Sequence, residues 1–245
     1  MQLYRGESVA AQVASLSKNS RLHMLLGFVF FLHWYFYTLA PKGIGTLSGS
    51  PAGASLGFAT FCAWVIVQDC ILGRKLPKPR EVAAVALCLA GAAATAFSAA
   101  SPLAVTASLM IGMLGAIPFA ILIRLHSANA DINIFERMMG QFFFAGLCFA
   151  LTLPILGTWK LALTTQDVIL LVGFMGVWGT FVNHSLIASS QKHIRSKVIQ
   201  GTISVLFVPS AIFAASIVAG EPISPAMIFG ALLIVLGMSM TIKKG

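Results

Sequence analysis

The sequence predicts an all-α integral membrane protein of about eight transmembrane helices. Three observations lead there. Hydrophobic residues make up 58% of the 245 positions and charged residues only 9%, with a mean hydropathy of +0.91. A soluble domain of this length needs far more polar cover. Apolar runs of about 20 residues, long enough to cross a bilayer as helix, recur along the chain. The basic residues gather at alternate ends of those runs.

Residues 1–21 carry Arg5, Glu7, Lys18 and Arg21. Val9, Val13 and Leu16 recur at helical spacing, which suits a short surface helix too polar to span. No basic stretch followed by an apolar core and a small-residue cleavage site is expected there. The first span is Leu22–Ala40, closing on His33-Trp34-Tyr35-Phe36-Tyr37, where aromatics read first as an interfacial belt. The second is Ser50–Leu72, with Asp69 near its end. The basic loop from Gly73 to Glu81 follows. The third, Val82–Ala99, is rich in alanine, which favours close helix packing. The fourth runs from Pro102 to Leu125 and contains Gly112, Gly115 and Pro118. The fifth is Phe135–Leu156. The sixth, Val168–Ser189, carries Gly173, Gly176 and Gly179 on one face. The seventh is Val198–Ala219 with Pro209 near its middle. The last is Pro225–Ile242, with Ser224 placed to cap it and Pro225 in its first turn, where a missing N–H costs nothing.

The charge distribution checks this count. With both termini inside, segments 1–21, 73–81, 124–137, 190–197 and 243–245 hold 14 of the 16 Lys and Arg, leaving only Lys42 and Lys160 outside. That partition is the positive-inside rule, and an odd change in the number of spans would scramble it. The net charge of +9 therefore belongs to membrane-flanking loops and gives no basis for nucleic-acid binding. Cys62, Cys70, Cys88 and Cys148 all fall in apolar runs without a CxxC pair, so they read as small packing residues. No HExxH, GxSxG or phosphate-binding loop is present and Met has no metal-ligand spacing, so no enzyme, metal or cofactor is expected.

An internal repeat is visible. Leu76–Gly91 and Ile223–Gly237 each have a Pro-containing turn, a Pro at the helix start (Pro79, Pro225) and a Gly twelve residues on (Gly91, Gly237), both pairs 146 residues apart. Val82 matches Ile228, Leu87 matches Leu233 and Leu89 matches Val235. The first turn is basic and inside. The second carries Glu221 and is outside, so the two copies face opposite ways, a common design in secondary transporters.

These residues resemble the EamA-type permeases of the drug/metabolite transporter superfamily. The resemblance is carried by Gly220-Glu221-Pro222-Ile223-Ser224 with Gly230-Ala231-Leu232-Leu233-Ile234-Val235-Leu236-Gly237. Leu32-His33-Trp34 with Phe36-Tyr37-Thr38-Leu39-Ala40 resembles the third helix of the family. Gly73-Arg74-Lys75-Leu76 resembles the Gly-Glu turn of the first repeat, with Arg74 in place of the usual Glu. The resemblance implies ten helices in two inverted repeats of five. Residues 102–245 supply five spans, a complete second repeat, but residues 22–99 supply three. The expected organisation is thus a 3 + 5 inverted repeat short of two helices, which would precede Leu22. The chain is read as a shortened form or one whose start was set too late.

The function implied is a secondary transporter of small metabolites in the cytoplasmic membrane, working by alternating access with no cofactor. The alternative is a non-transporting membrane scaffold or subunit whose partner supplies the missing helices. Carriers of this design bind substrate near the midplane at the repeat interface. The candidate substrate residues are His33, Trp34 and Tyr37 in the first span and Met113 in the fourth, where Met110 and Pro118 also lie. Trp178 and Asn183 in the sixth and Pro209 in the seventh complete them. Tyr37 and Asn183 would approach one cavity from the two halves; the alternatives are interfacial anchoring and helix–helix hydrogen bonding. The structural turns are Gly73, Pro79, Gly220, Glu221 and Pro225. Asp69 lies within reach of Arg74 or Lys75 and gives little support for proton coupling. Glu136 and Arg137 are expected to pair locally or with neighbours, and His184 to be solvated. The expected partners are the bilayer and the metabolite; the glycine stripe serves internal packing or a homodimer face.

Overall fold

A computed structural model describes residues 18–44, 46–72, 76–152, 182–190, 197–210 and 222–242. These are mostly helical: α1 (Ser20–Leu39), α2 (Pro51–Ala59), α3 (Phe61–Ile71), α4 (Pro79–Ala99), α5 (Pro102–Ala128), α6 (Ile134–Thr152), α7 (Asn183–Ser190), α8 (Lys197–Ser204) and α9 (Pro225–Ile242). Segments Ser20–Lys42, Pro51–Ile71, Pro79–Ala99, Pro102–Ala128 and Ile134–Thr152 are long and apolar enough to cross a membrane, which marks a membrane-embedded protein. They coincide with the first five expected spans within a few residues. The eighth expected span is α9. Most of the sixth, part of the seventh, and the turn residues Gly73, Gly220 and Glu221 lie outside the described residues.

Local chemistry explains the helix starts. Pro79 opens α4 at a position needing no N–H, and the Glu81 carboxylate accepts from the Lys78 N–H at 3.0 Å. Pro225 opens α9, where the Ser224 hydroxyl accepts from the Met227 N–H at 3.2 Å. Ser50 caps α2, accepting from the Gly53 N–H at 2.8 Å. Its own N–H donates to the Ser108 hydroxyl at 2.6 Å. Ser50→Ala is expected to lower stability by about 1 kcal/mol, read as a lower midpoint of thermal unfolding in detergent. Between α1 and α2, Gly43 pairs with Ser48 and Ile44 with Leu47 as a two-residue hairpin. Gly43 has φ +85°, a conformation that L side chains rarely adopt.

The second expected span is not one continuous helix. It breaks at Thr60, whose N–H reaches the Gly57 carbonyl at 3.2 Å and whose hydroxyl donates to the same oxygen at 2.6 Å. This tighter, three-residue turn separates α2 from α3.

The chain forms two compact units. One holds residues up to Phe31 with Leu122–His193; the other holds Leu32–Ile121 with Ile194–Gly245. In the second unit α4 and α9 cross with almost no side chain between them. A Cβ on Gly91 would meet the Gly230 carbonyl oxygen, one on Gly237 would meet that of Ala84 at 2.6 Å, and the Cys88 thiol lies 3.7 Å from the Ile234 oxygen. Residue numbers fall along α4 as they rise along α9, so the pair is antiparallel. The small residues let dispersion act over the whole crossing, the main attraction available in lipid. α2 packs along α5 in parallel: Gly53 abuts Val105 and Ser108, and Gly57 abuts Leu109 and Gly112. Gly201 in α8 lies against Cys62 and Phe61 of α3. Cys62 and Cys88 are buried and all four thiols are free, so the first two serve as packing residues.

In the first unit α1 and α6 run parallel. Gly140 faces the His23 ring, Gly27 faces Phe144 and Ala145, Phe30 meets Phe142 edge-on at 5.2 Å, and Phe31 meets Phe149 at 4.9 Å. His184 corrects the expectation of solvation. It is buried, with the rings of Phe30 at 4.9 Å and Phe142 at 6.4 Å edge-on. Its imidazole completes an aromatic contact across helices, which outweighs hydration where the neighbours are rings.

Candidate substrate site

The aromatic end of α1 lies in the second unit and turns inward. His33 and Tyr37 are one helical turn apart and therefore share a face. The buried His33 Nδ1–H donates to the Gly115 carbonyl of α5 at 3.0 Å. The approach is close because Gly115 has no side chain: a Cβ there would lie 3.1 Å from the His33 oxygen and 3.3 Å from the Tyr37 nitrogen. Pro118, three residues on, interrupts the hydrogen-bond ladder of α5. A bond from a neighbouring helix beside that break is how lipid-embedded helices tolerate proline.

Rings close around His33. Those of Phe119 and Phe58 lie 4.8 and 5.0 Å away, and Tyr37 stacks at 6.0 Å. Trp34 meets Tyr37 edge-on at 5.7 Å. Phe58 also meets Phe61 at 5.1 Å across the Thr60 turn and Phe207 at 5.2 Å. The Tyr37 hydroxyl faces Ser55 of α2. The cluster therefore offers π faces, a hydroxyl and an imidazole, without a carboxylate or a cationic side chain among these residues. It can hold an apolar or aromatic group by stacking and orient a polar one by hydrogen bonds.

The structure brings His33, Trp34 and Tyr37 together. Met113 is half-buried on α5, two residues before Gly115, and Met110 is exposed. Pro209 is buried two residues beyond Phe207, in a helical turn that follows α8. Asn183 opens α7 in the other unit, and its side chain lies outside the described residues, as does Trp178. Asp69 is half-buried near the end of α3, while Arg74 and Lys75 lie outside the described residues. Sequence reasoning missed Ser55, Phe58, Phe119 and Phe207. With 18 phenylalanines in the chain, nothing marks these three from those facing lipid.

No family model matches the chain, and no curated protein does. Solved structures do. One crystal structure of another protein superposes with a TM-score of 0.73 at 17% identity, covering 96% of this chain and 85% of that one. At that identity the likeness is one of fold.

Proposed function

We propose that the chain is a permease of small metabolites resembling the EamA type of the drug/metabolite transporter superfamily, seated in the cytoplasmic membrane with both termini inside. It works by rocking two inverted repeats, of three and five spans, about a central site. One observation carries the reading. The contacts between α4 and α9 exchange under a shift of 146 residues, the separation of Cys88 and Ile234. That shift carries Ala84 to Gly230 and Gly91 to Gly237. The Gly91–Gly230 contact thereby becomes the Gly237–Ala84 contact, and Cys88 faces its own equivalent. An antiparallel pair with this property is what two copies of opposite orientation produce.

Helix directions add support. α1 parallel to α6, α2 parallel to α5, and α4 antiparallel to α9 are the relations that eight alternating crossings require. The charge of the loops then orients the protein. The ring cluster at His33 favours a cargo with an apolar or aromatic part, and the Tyr37 hydroxyl supplies a hydrogen bond to its polar part.

The test is reconstitution of the full chain in liposomes, with radiolabelled amino acids, nucleosides and sugars presented in turn. One class is expected to be transported. Tyr37→Phe and Asn183→Ala should each lower flux by about tenfold, the effect of one buried hydrogen bond to the cargo. Absence of flux for every class would overturn the permease reading in favour of a scaffold or subunit. Unchanged flux in both variants would remove Tyr37 and Asn183 from the site.

A further inference from the structure

The start of α6 holds a buried cation whose hydrogen bonds, among the described residues, go to neutral groups. Arg137 and Gln141 are fully enclosed and His126 is buried. The Arg137 guanidinium donates from Nε to the Ile132 carbonyl at 3.2 Å and from Nη1 to the His126 carbonyl at 2.7 Å. Nη1 also lies 3.3 Å from His126 Nδ1. A guanidinium only donates, so Nδ1 is the lone-pair nitrogen of the ring. The ring proton is then on Nε2, which donates to Gln141 Oε1 at 2.7 Å. This chain of roles also sets the Gln141 amide: its oxygen faces His126 and its nitrogen faces away.

Two donors are left over. Arg137 Nη2 and Gln141 Nε2 are both buried and, among the described residues, have no hydrogen-bond partner. They stand one helical turn apart on one face of α6 and flank the same imidazole. Among the described residues no carboxylate makes an ion pair with Arg137. Glu136 accepts from the Asn19 amide at 2.7 Å and lies 3.7 Å from His23 Nε2. Asp131 and Glu136 act on the guanidinium only through space. A buried charge without a counter-charge in contact is costly, and two orphan N–H groups one helical turn apart add to that cost. A negatively charged acceptor between them would remove both deficits.

We propose that Arg137 Nη2 and Gln141 Nε2 hold a small inorganic anion of halide size beside His126, at the junction of α1, α5 and α6. The site lies apart from the His33 cluster in sequence and in compact unit, and it requires no transport activity.

The test is thermal unfolding of the purified full chain in sodium chloride, sodium bromide or sodium gluconate at equal ionic strength. Chloride and bromide are expected to raise the midpoint by about 3 °C over gluconate, by mass action on the folded state. Gln141→Glu keeps an acceptor for His126 and puts a carboxylate oxygen in place of the orphan N–H. It is expected to match the chloride-bound wild type and to ignore halide. Gln141→Met, which loses the donor without adding charge, should at least halve the response. A wild type indifferent to halide would overturn the proposal and leave the donors to a buried water. A full halide response retained in either variant would overturn it too.

Discussion

Gly230→Leu is expected to lose about 3 kcal/mol of stability or fail to accumulate as folded protein. A Cβ at this position would meet the Gly91 carbonyl oxygen at 2.5 Å and the Thr95 nitrogen at 3.2 Å, and would collide with the Thr95 hydroxyl. Two of those neighbours are backbone atoms, which cannot turn aside. Relief requires α4 and α9 to separate along their length. Separation forfeits the contacts at Cys88 and Gly237 as well, so the cost exceeds that of one misplaced side chain. Gly146→Ala is the matched control. A Cβ there meets nothing within 4 Å, and alanine is the better helix former, so stability should hold or rise by up to about 1 kcal/mol. Unfolding midpoints of both variants in detergent check the contrast. Equal loss in the two would show that the close crossing contributes nothing.

Arg137→Ala should cost about 3 kcal/mol, with the damage centred where α5 ends and α6 begins. The last carbonyls of a helix have no partner within it. In α5 the His126 carbonyl obtains one from Arg137 Nη1, and the Ile132 carbonyl in the connecting loop obtains one from Nε. Truncation strips both, along with the donor to His126 Nδ1, and leaves buried acceptors unsatisfied at about 1–3 kcal/mol each before relaxation. Hydrogen exchange offers a local readout: amides at the end of α5 and in the first turn of α6 should lose protection first. A uniform loss across all helices would contradict this assignment.

Much of the architecture could be read along the chain, for local reasons. Pro79 and Pro225 mark helix starts because a first-turn residue needs no N–H, and Ser224 caps because its hydroxyl is short enough to reach back to the Met227 amide. Apolar length alone located five crossings. The break at Thr60 escaped because hydropathy is blind to a switch from four-residue to three-residue hydrogen bonding. The solvated His184 was an error of context: a polar ring near a span end looks hydrated until aromatic neighbours are known. Of the candidate site, the i, i+4 pair of His33 and Tyr37 was legible from spacing, whereas the rings that enclose it were not.

The division has a common cause. Crossing a bilayer, starting a helix and orienting its loops depend on composition and on neighbours within a turn or so, and these are written in order along the chain. Which apolar face meets another helix rather than lipid is not, since leucine and phenylalanine are equally at home in both. The packing of α4 on α9, the rings around His33, and the donors of Arg137 and Gln141 at His126 all depend on distant segments arriving together. There the space between backbones, and the need to satisfy every buried polar atom, selected the partners.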